Sequence, residues 1–251
     1  MKKWILRGAG VIFGLVVIAL VLVFINLNSI VRKGVETVGP QLTKVDVRLG
    51  SAKLSPMNGN GELHKLFVGN PEGYKAPSAI EVGNIKVALK LSTAMSDPIV
   101  IDEVNIQAPE ITFEGGLRGN NLSQILKNLE GSPDDVKSTP DGKSAGEGGR
   151  KYFVKDVVIN GGQIHVRVTG LASKSLTVPL PPIHLQNIGS ENKGVTAAQL
   201  CKEILKPLIV SSTKAGLAAI AGLGSNVQDL GKGAVEQLNK TTSGLKGIFK
   251  K

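Results

Sequence analysis

The chain has 251 residues, a formal net charge of +10 at neutral pH and 41% apolar residues, of which few are aromatic. A core must therefore come from Val, Ile and Leu, and thirty-one Gly with twelve Pro suit turn-rich β structure better than a helical bundle. A basic balance suits nucleic acid or an anionic membrane surface. The scattered cations and the scarcity of rings for base stacking argue against nucleic acid. Cys201 is the single cysteine, so no intramolecular disulfide forms.

Lys2, Lys3 and Arg7 precede Gly8 to Leu27, a stretch with no charge and one polar residue, Asn26. As a helix rising ~1.5 Å per residue it is about 30 Å long, the thickness of a bilayer core. A cleavable signal peptide would have a shorter apolar core and a small-x-small site. Residues 1–30 are therefore read as an uncleaved N-terminal transmembrane helix, with the positive-inside bias placing the N-terminus in the cytoplasm. Asn28 to Gln41 reads as a juxtamembrane segment, a candidate helical extension of the anchor, closed by Gly39-Pro40.

Strand signals follow. Val45, Val47 and Leu49 alternate with Asp46 and Arg48; Gly50 breaks the pattern, and Ala52 and Leu54 resume it. Ser55 to Gly61 is a turn, Leu63 to Val68 a strand, and Asn70-Pro71-Glu72-Gly73-Tyr74 a second turn. The clearest alternation is Ile85, Val87, Leu89 and Leu91. Ile99 to Gln107 and Ile111 to Glu114 are the next pair, separated by Ala108-Pro109. Short, closely spaced strands predict an antiparallel meander.

Leu122, Ile125, Leu126 and Leu129 recur at helical spacing, so 121–129 is a short amphipathic helix inside a β region covering 31–130. Residues 131–150 are polar and Gly-rich and read as a disordered loop. Strands resume over 151–190. Glu103 to Phe113 echoes Asp156 to Val166 around a Pro or Gly corner, which reads either as a repeated hairpin stacked on its neighbour or as the likeness of any two hairpins. From 195 to 251 the period becomes helical, with Thr196 as N-cap, and the chain ends in a basic tail from Gly224. That tail reads either as an amphipath on an anionic membrane or as a cap on the sheet. The fold class expected is mainly β: a transmembrane helix, an elongated antiparallel sheet forming a half-pipe, groove or open sandwich, and a C-terminal helical segment.

No catalytic constellation emerges. His64, His165 and His184 lack companions at metal-ligand spacing, and there is no nucleophile elbow or phosphate loop. Asp102-Glu103 would point to opposite faces of a strand. The expectation is a non-enzyme with no cofactor and no metal. An aliphatic sheet face must be covered by a second layer or occupied by something apolar.

Several stretches in order resemble the AsmA-like family of envelope proteins. Gly61 to Tyr74 is similar to its strand followed by Asn-Pro-x-Gly-Tyr, and Ile80 to Leu91 to the next strand. Ile101 to Gly115 is similar to its Ile-x-Ile-x-x-Pro-x-Ile-x-x-Glu pattern, and Asn120 to Leu126 to its Asn-Leu helix. The resemblance covers roughly Met1 to Val168. It implies a single-pass inner-membrane protein whose bulk is periplasmic, with roles in outer-membrane biogenesis and lipid transport along an apolar β floor. About ten strands at ~4.8 Å make a trough of about 50 Å, too short to bridge an envelope alone.

Two functions are thus expected. In the first, phospholipid is bound or guided along a face lined by Val45, Val47, Ile85, Val87, Leu89, Leu91, Ile106, Ile111, Phe113, Ile159, Ile164 and Val166, with envelope proteins or a second copy as further partners. In the second, the protein is a closed β-sandwich acting as a structural or protein-interaction module without lipid. A floor packed by Leu200, Ile204 and Leu208 would favour the second.

Overall fold

The structure, a computed structural model, describes residues 27–55, 57–116, 119–132, 150–168 and 175–222. The expected anchor up to residue 26, most of the expected loop over 131–150 and the basic tail from Gly224 lie outside the described residues. Helix α1 (27–43) leads into β1 (Val47–Ser55), β2 (Asn60–Gly69) and β3 (Ser78–Leu89). Then come a 3-10 turn (Leu91–Thr93), β4 (Ile99–Gln107), β5 (Glu110–Gly116), β6 (Gly119–Asn120) and α2 (Asn121–Gly131). The chain continues through β7 (Tyr152–Asn160), β8 (Gln163–Val168), β9 (Ser175–Pro179), β10 (Ile183–Ile188) and α3 (Ala197–Gly222).

All ten strands among the described residues join one sheet, and it is mixed rather than antiparallel. β4 runs parallel to β7 and β5 parallel to β8, while the other pairings are antiparallel. Parallel neighbours need a long return between them, and here that return includes α2. A lone helix in a run of strands reads locally as an interruption, and that is why the expected meander, present from β1 to β4, fails at the two parallel pairs.

The corners expected at Ala108-Pro109 and Gly161-Gly162 do not reverse the chain. Asn84 faces Gln107 and Glu81 faces Glu110, so β4 and β5 follow one register along one edge of β3. Gln107 likewise faces Asn160, and Glu110 faces Gln163. Ile183 faces Ile159 while Pro179 faces Gln163, which makes β9 and β10 a third interrupted strand. The sequence echo is therefore a pair of bent strands lying side by side, not a pair of hairpins.

Every long strand makes the same step at this line. The apolar alternation slips by one residue between Leu49 and Ala52, Leu63 and Leu66, Val82 and Ile85, Ile106 and Pro109, Ile159 and Gly162, and Leu180 and Ile183. These residues face one another across the ladders, as in Leu49 with Leu66, Ile85 with Ile106 and Ile106 with Ile159. Residues directly opposite share a face, so the slip keeps the apolar side continuous past the irregular line. Lys65, Ala108 and Gly161 take the step with left-handed backbones, φ +56°, +46° and +68°. Gly50 leaves room for Lys65, whose Cβ would lie 2.9 Å from a Cβ at position 50.

Three helices cover that apolar side. α2 is capped by Asn120, whose side chain accepts from Ser123 N at 2.8 Å, and buries Leu122, Ile125 and Leu129, three of the expected apolar stripe. α3 opens with a capping box: Thr196 Oγ1 accepts from Gln199 N, and Gln199 Oε1 accepts from Thr196 N. It then runs through Pro207 to Gly222 and buries Leu208, Ile209, Ser212 and Gly216. α3 is long and apolar enough to cross a membrane, yet it lies packed on the sheet. α1 continues past the expected stop at Gly39-Pro40, held by Thr43 Oγ1 donating to Gly39 O and Lys44 N donating to Pro40 O.

Candidate functional site

The candidate lining residues do converge on one face. Ile111, Phe113, Ile159, Ile164 and Val166 are fully buried, and Val45, Val47, Ile85 and Ile106 nearly so, all but Val45 on strands. Val87 and Leu89 are half-buried beside them. Leu91 is the exception: it has left β3, sits in the 3-10 turn and is 41% exposed. Val45 precedes β1 rather than lying in it.

What covers this face is helix. A Cβ on Gly216 of α3 would lie 2.7 Å from the Phe113 ring, so the missing side chain is what lets the helix settle on β5. Leu208 is buried, and Leu200 and Ile204 pack against the same core. The Lys202 ammonium reaches Ser132 O, Lys206 pairs with Glu130 at 3.1 Å, and Ser132 Oγ donates to Leu42 O at 3.0 Å. These contacts tie α3 to α2 and α2 to the end of α1. Full burial of a Leu, Ile or Phe contributes about 1.5–3 kcal/mol, so the two layers are held mainly by apolar contact.

A polar cluster closes one end of the sheet, and sequence reading did not anticipate it. The Glu114 carboxylate accepts from Lys75 N and Ala76 N, each at 2.7 Å. Asn121 is fully buried; its Oδ1 accepts from Glu114 N at 2.8 Å, and its Nδ2 donates to Asn70 Oδ1 and Thr112 O, each at 2.7 Å. Asn70 Nδ2 donates to Ala76 O at 2.9 Å. Asn70, Glu114 and Asn121 come from three of the four stretches on which the sequence resemblance rests, so residues far apart in sequence share one site. All their polar atoms are spent on backbone and on each other, which suits holding a turn rather than performing chemistry. Nearby, burial first and the Glu114 charge second push the Tyr74 hydroxyl above its ordinary range.

The histidines stay apart. His184 Nε2 lies 2.5 Å from Asp156 Oδ1, which holds that carboxyl below the usual range with help from Gln186. His165 Nδ1 meets Thr177 Oγ1 at 3.1 Å, and His64 Nε2 stands 3.2 Å from Glu62. Among the described residues, no three His, Cys, Asp or Glu side chains gather where they could hold a metal ion. Burial pushes the Cys201 thiol up to about 11, which leaves little thiolate at neutral pH. The opposite, polar face carries a shallow cleft of about 300 Å³ crossed by Glu62, Lys86, Glu103 and Asn105. Its charges alternate in sign and suit a contact surface better than a reaction centre.

Fold and site together define a class: a bent mixed sheet with one face largely covered by three helices and the other polar. Compared with family models and with curated proteins, the chain matches none.

Proposed function

We propose that this is a non-enzymatic, membrane-anchored envelope protein whose helix-covered sheet works as a structural and protein-interaction module. One observation carries the reading: the floor that lipid would occupy is filled by Leu208, Ile209 and Gly216 of α3 lying on Ile111, Phe113, Ile164 and Val166. The surface left for a partner is the polar face with its cleft at Lys86 and Glu103. The test is site-specific photo-crosslinking in intact cells from Lys86 and Glu103, with phospholipid quantified in the purified full-length chain. Protein adducts at the polar face with no stoichiometric phospholipid are expected. One phospholipid per chain, displaced by Phe113→Asp, would overturn the reading.

A second reading, lipid guidance in the AsmA-like manner, is favoured by a separate observation. Beyond the bend, Leu63, Val87, Leu89 and Leu185 are only half-buried, so the apolar floor is not completely covered there. A lipid tail would enter from that end.

A further inference from the structure

Four large apolar side chains stand exposed among the described residues, and all four are at one end of the molecule: Ile30 at 54%, Met57 at 90%, Leu91 at 41% and Met95 at 89%. Met57 lies in the turn between Ser55 and Asn60, which face each other across β1 and β2. Leu91 and Met95 lie in the connection from Leu89 to Ile101, which face each other across β3 and β4. The two turns adjoin: Leu89 N donates to Gly59 O at 2.8 Å, and a Cβ on Gly59 would lie 3.2 Å from Leu91 Cγ. Ile30 joins them because α1 starts at this end, with Asn28 Oδ1 accepting from Leu54 N at 3.0 Å.

The turn bearing Met95 is built, not loose. Thr93 Oγ1 donates to Lys90 O at 2.7 Å and accepts from Val100 N at 3.0 Å. The Arg150 guanidinium donates to Ala94 O and Ser96 O, on either side of Met95, and Lys151 N donates to Asp97 Oδ1. A well-braced turn that holds a thioether in water gains nothing within the fold itself. Cations surround it. Lys90, Arg150 and Lys151 are at this end, and Lys193 adjoins through Gly194, whose Cβ would meet Lys151 Cβ at 2.8 Å. Arg32 and Lys33 are on α1; Asp97, Glu191 and Glu36 oppose them.

We propose that this end is a membrane-docking edge. Met57, Leu91 and Met95 insert into the headgroup boundary of the bilayer that holds residues 8–27, and Lys90, Arg150 and Lys151 rest against its anionic lipids. The occupant follows from the chain itself, since the uncharged stretch Gly8 to Leu27 enters α1 at the same end as the exposed tips. Apolar tips framed by Lys and Arg are what an anionic interface attracts. The inference rests on the anchored reading and adds an orientation, with the strands standing on the membrane and the Asn70–Ser78 turn farthest from it.

The test uses the full chain with Cys201→Ala in phosphatidylcholine vesicles, with and without phosphatidylglycerol. An environment-sensitive fluorophore is placed in turn at Met57→Cys, Met95→Cys and, at the far end, Glu72→Cys. Lipids with a nitroxide near the headgroup should quench the labels at 57 and 95 several-fold more than the label at 72, and more strongly with phosphatidylglycerol. Alkaline carbonate extraction of the same vesicles reads the anchor separately. Carbonate-resistant chain with all three labels quenched alike, or with none quenched, would overturn the docking edge and leave the anchor standing. Release by carbonate would overturn the anchored reading beneath it.

Discussion

Ala108 and Gly161 take the same step in neighbouring strands, both with left-handed backbones, φ +46° and +68°. Ala108 N donates to Asn160 O at 2.8 Å, and Gln163 N donates to Pro109 O at 2.9 Å, so the pair is laced together across the bend. A left-handed residue moves the side-chain alternation by one position without turning the strand back. Two strands that take the step at the same rung keep their ladder and their shared apolar face. The bend is thus a property of the whole sheet, and its cost falls on whichever residue supplies the left-handed angle.

That cost should be measurable with opposite signs at the two positions. A side chain in this region costs roughly 1–2 kcal/mol, and a glycine's extra freedom in the unfolded chain recovers part of it. Ala108→Gly should therefore raise stability by about 0.5 kcal/mol, and Gly161→Ala should lower it by about 1 kcal/mol. Space does not confound the second change, because the nearest atom to a Cβ there is 4.0 Å away. Thermal unfolding of the detergent-solubilised chain reads both. Equal signs would mean that the bend is not strained at these residues.

The polar cluster predicts a larger loss. Asn121→Ala leaves Glu114 N, Thr112 O and Asn70 Oδ1 without their partner in a fully buried place. Unsatisfied buried groups cost about 1–3 kcal/mol each, partly relieved by relaxation, so a drop of roughly 3 kcal/mol is expected. Asn121→Asp should be no better, because it keeps the acceptor for Glu114 N but sets a carboxylate against two carbonyl oxygens. Chemical denaturation compares the two variants with the parent chain.

Much of the sheet was legible because its signals are local. The slip from Leu49 to Ala52 is visible in the alternation itself, the α2 stripe in the spacing of Leu122, Ile125 and Leu129, and the α3 start in Thr196. Pairing is not local. Nothing near Val104 says that its neighbour is Val157 rather than a strand adjacent in sequence. The same limit hid the convergence of Asn70, Glu114 and Asn121. Leu91 was misread because the alternation Ile85, Val87, Leu89 continues through it, while the ladder stops at Leu89. Gly39-Pro40 was misread as a stop because proline usually ends helices, yet here the helix runs on to residue 43.

Acid should loosen the link between α1 and the edge of β1. Glu36 Oε1 accepts from Arg32 Nε at 3.0 Å and from Leu49 N at 3.2 Å. The Arg32 hydrogen bond holds the carboxyl below its ordinary range; burial, next in size, opposes it, and the Leu49 N–H and the Arg32 charge add smaller help. A carboxyl lowered in the folded state binds its proton less readily than in the unfolded chain. Its contribution is present above the unfolded value and is lost as pH falls through the folded one. The melting temperature of the parent chain should therefore fall more steeply below about pH 4.3 than that of Glu36→Gln. Parallel curves would show that Glu36 does not carry the link.

The seal between α3 and β5 rests on a missing side chain, and filling it should open the molecule. A Cβ on Gly216 would lie 2.7 Å from Phe113 Cδ2 and 2.8 Å from its Cγ, and Phe113 is itself fully buried with no room to retreat. Gly216→Val therefore pushes the helix off the strand, at a cost of about 1–3 kcal/mol for overpacking. Part of that is offset, since glycine within a helix is poorer than most other residues by up to about 1 kcal/mol. The second substitution, Phe113→Ala, removes the ring that the valine strikes. Combined, the two should be less destabilising than the sum of the separate losses, because the clash needs both side chains. Thermal unfolding gives the energies, and proteolysis within 197–222 reports whether α3 has lifted. If the double variant loses as much as the sum, α3 is held by something other than the contact of Gly216 with Phe113.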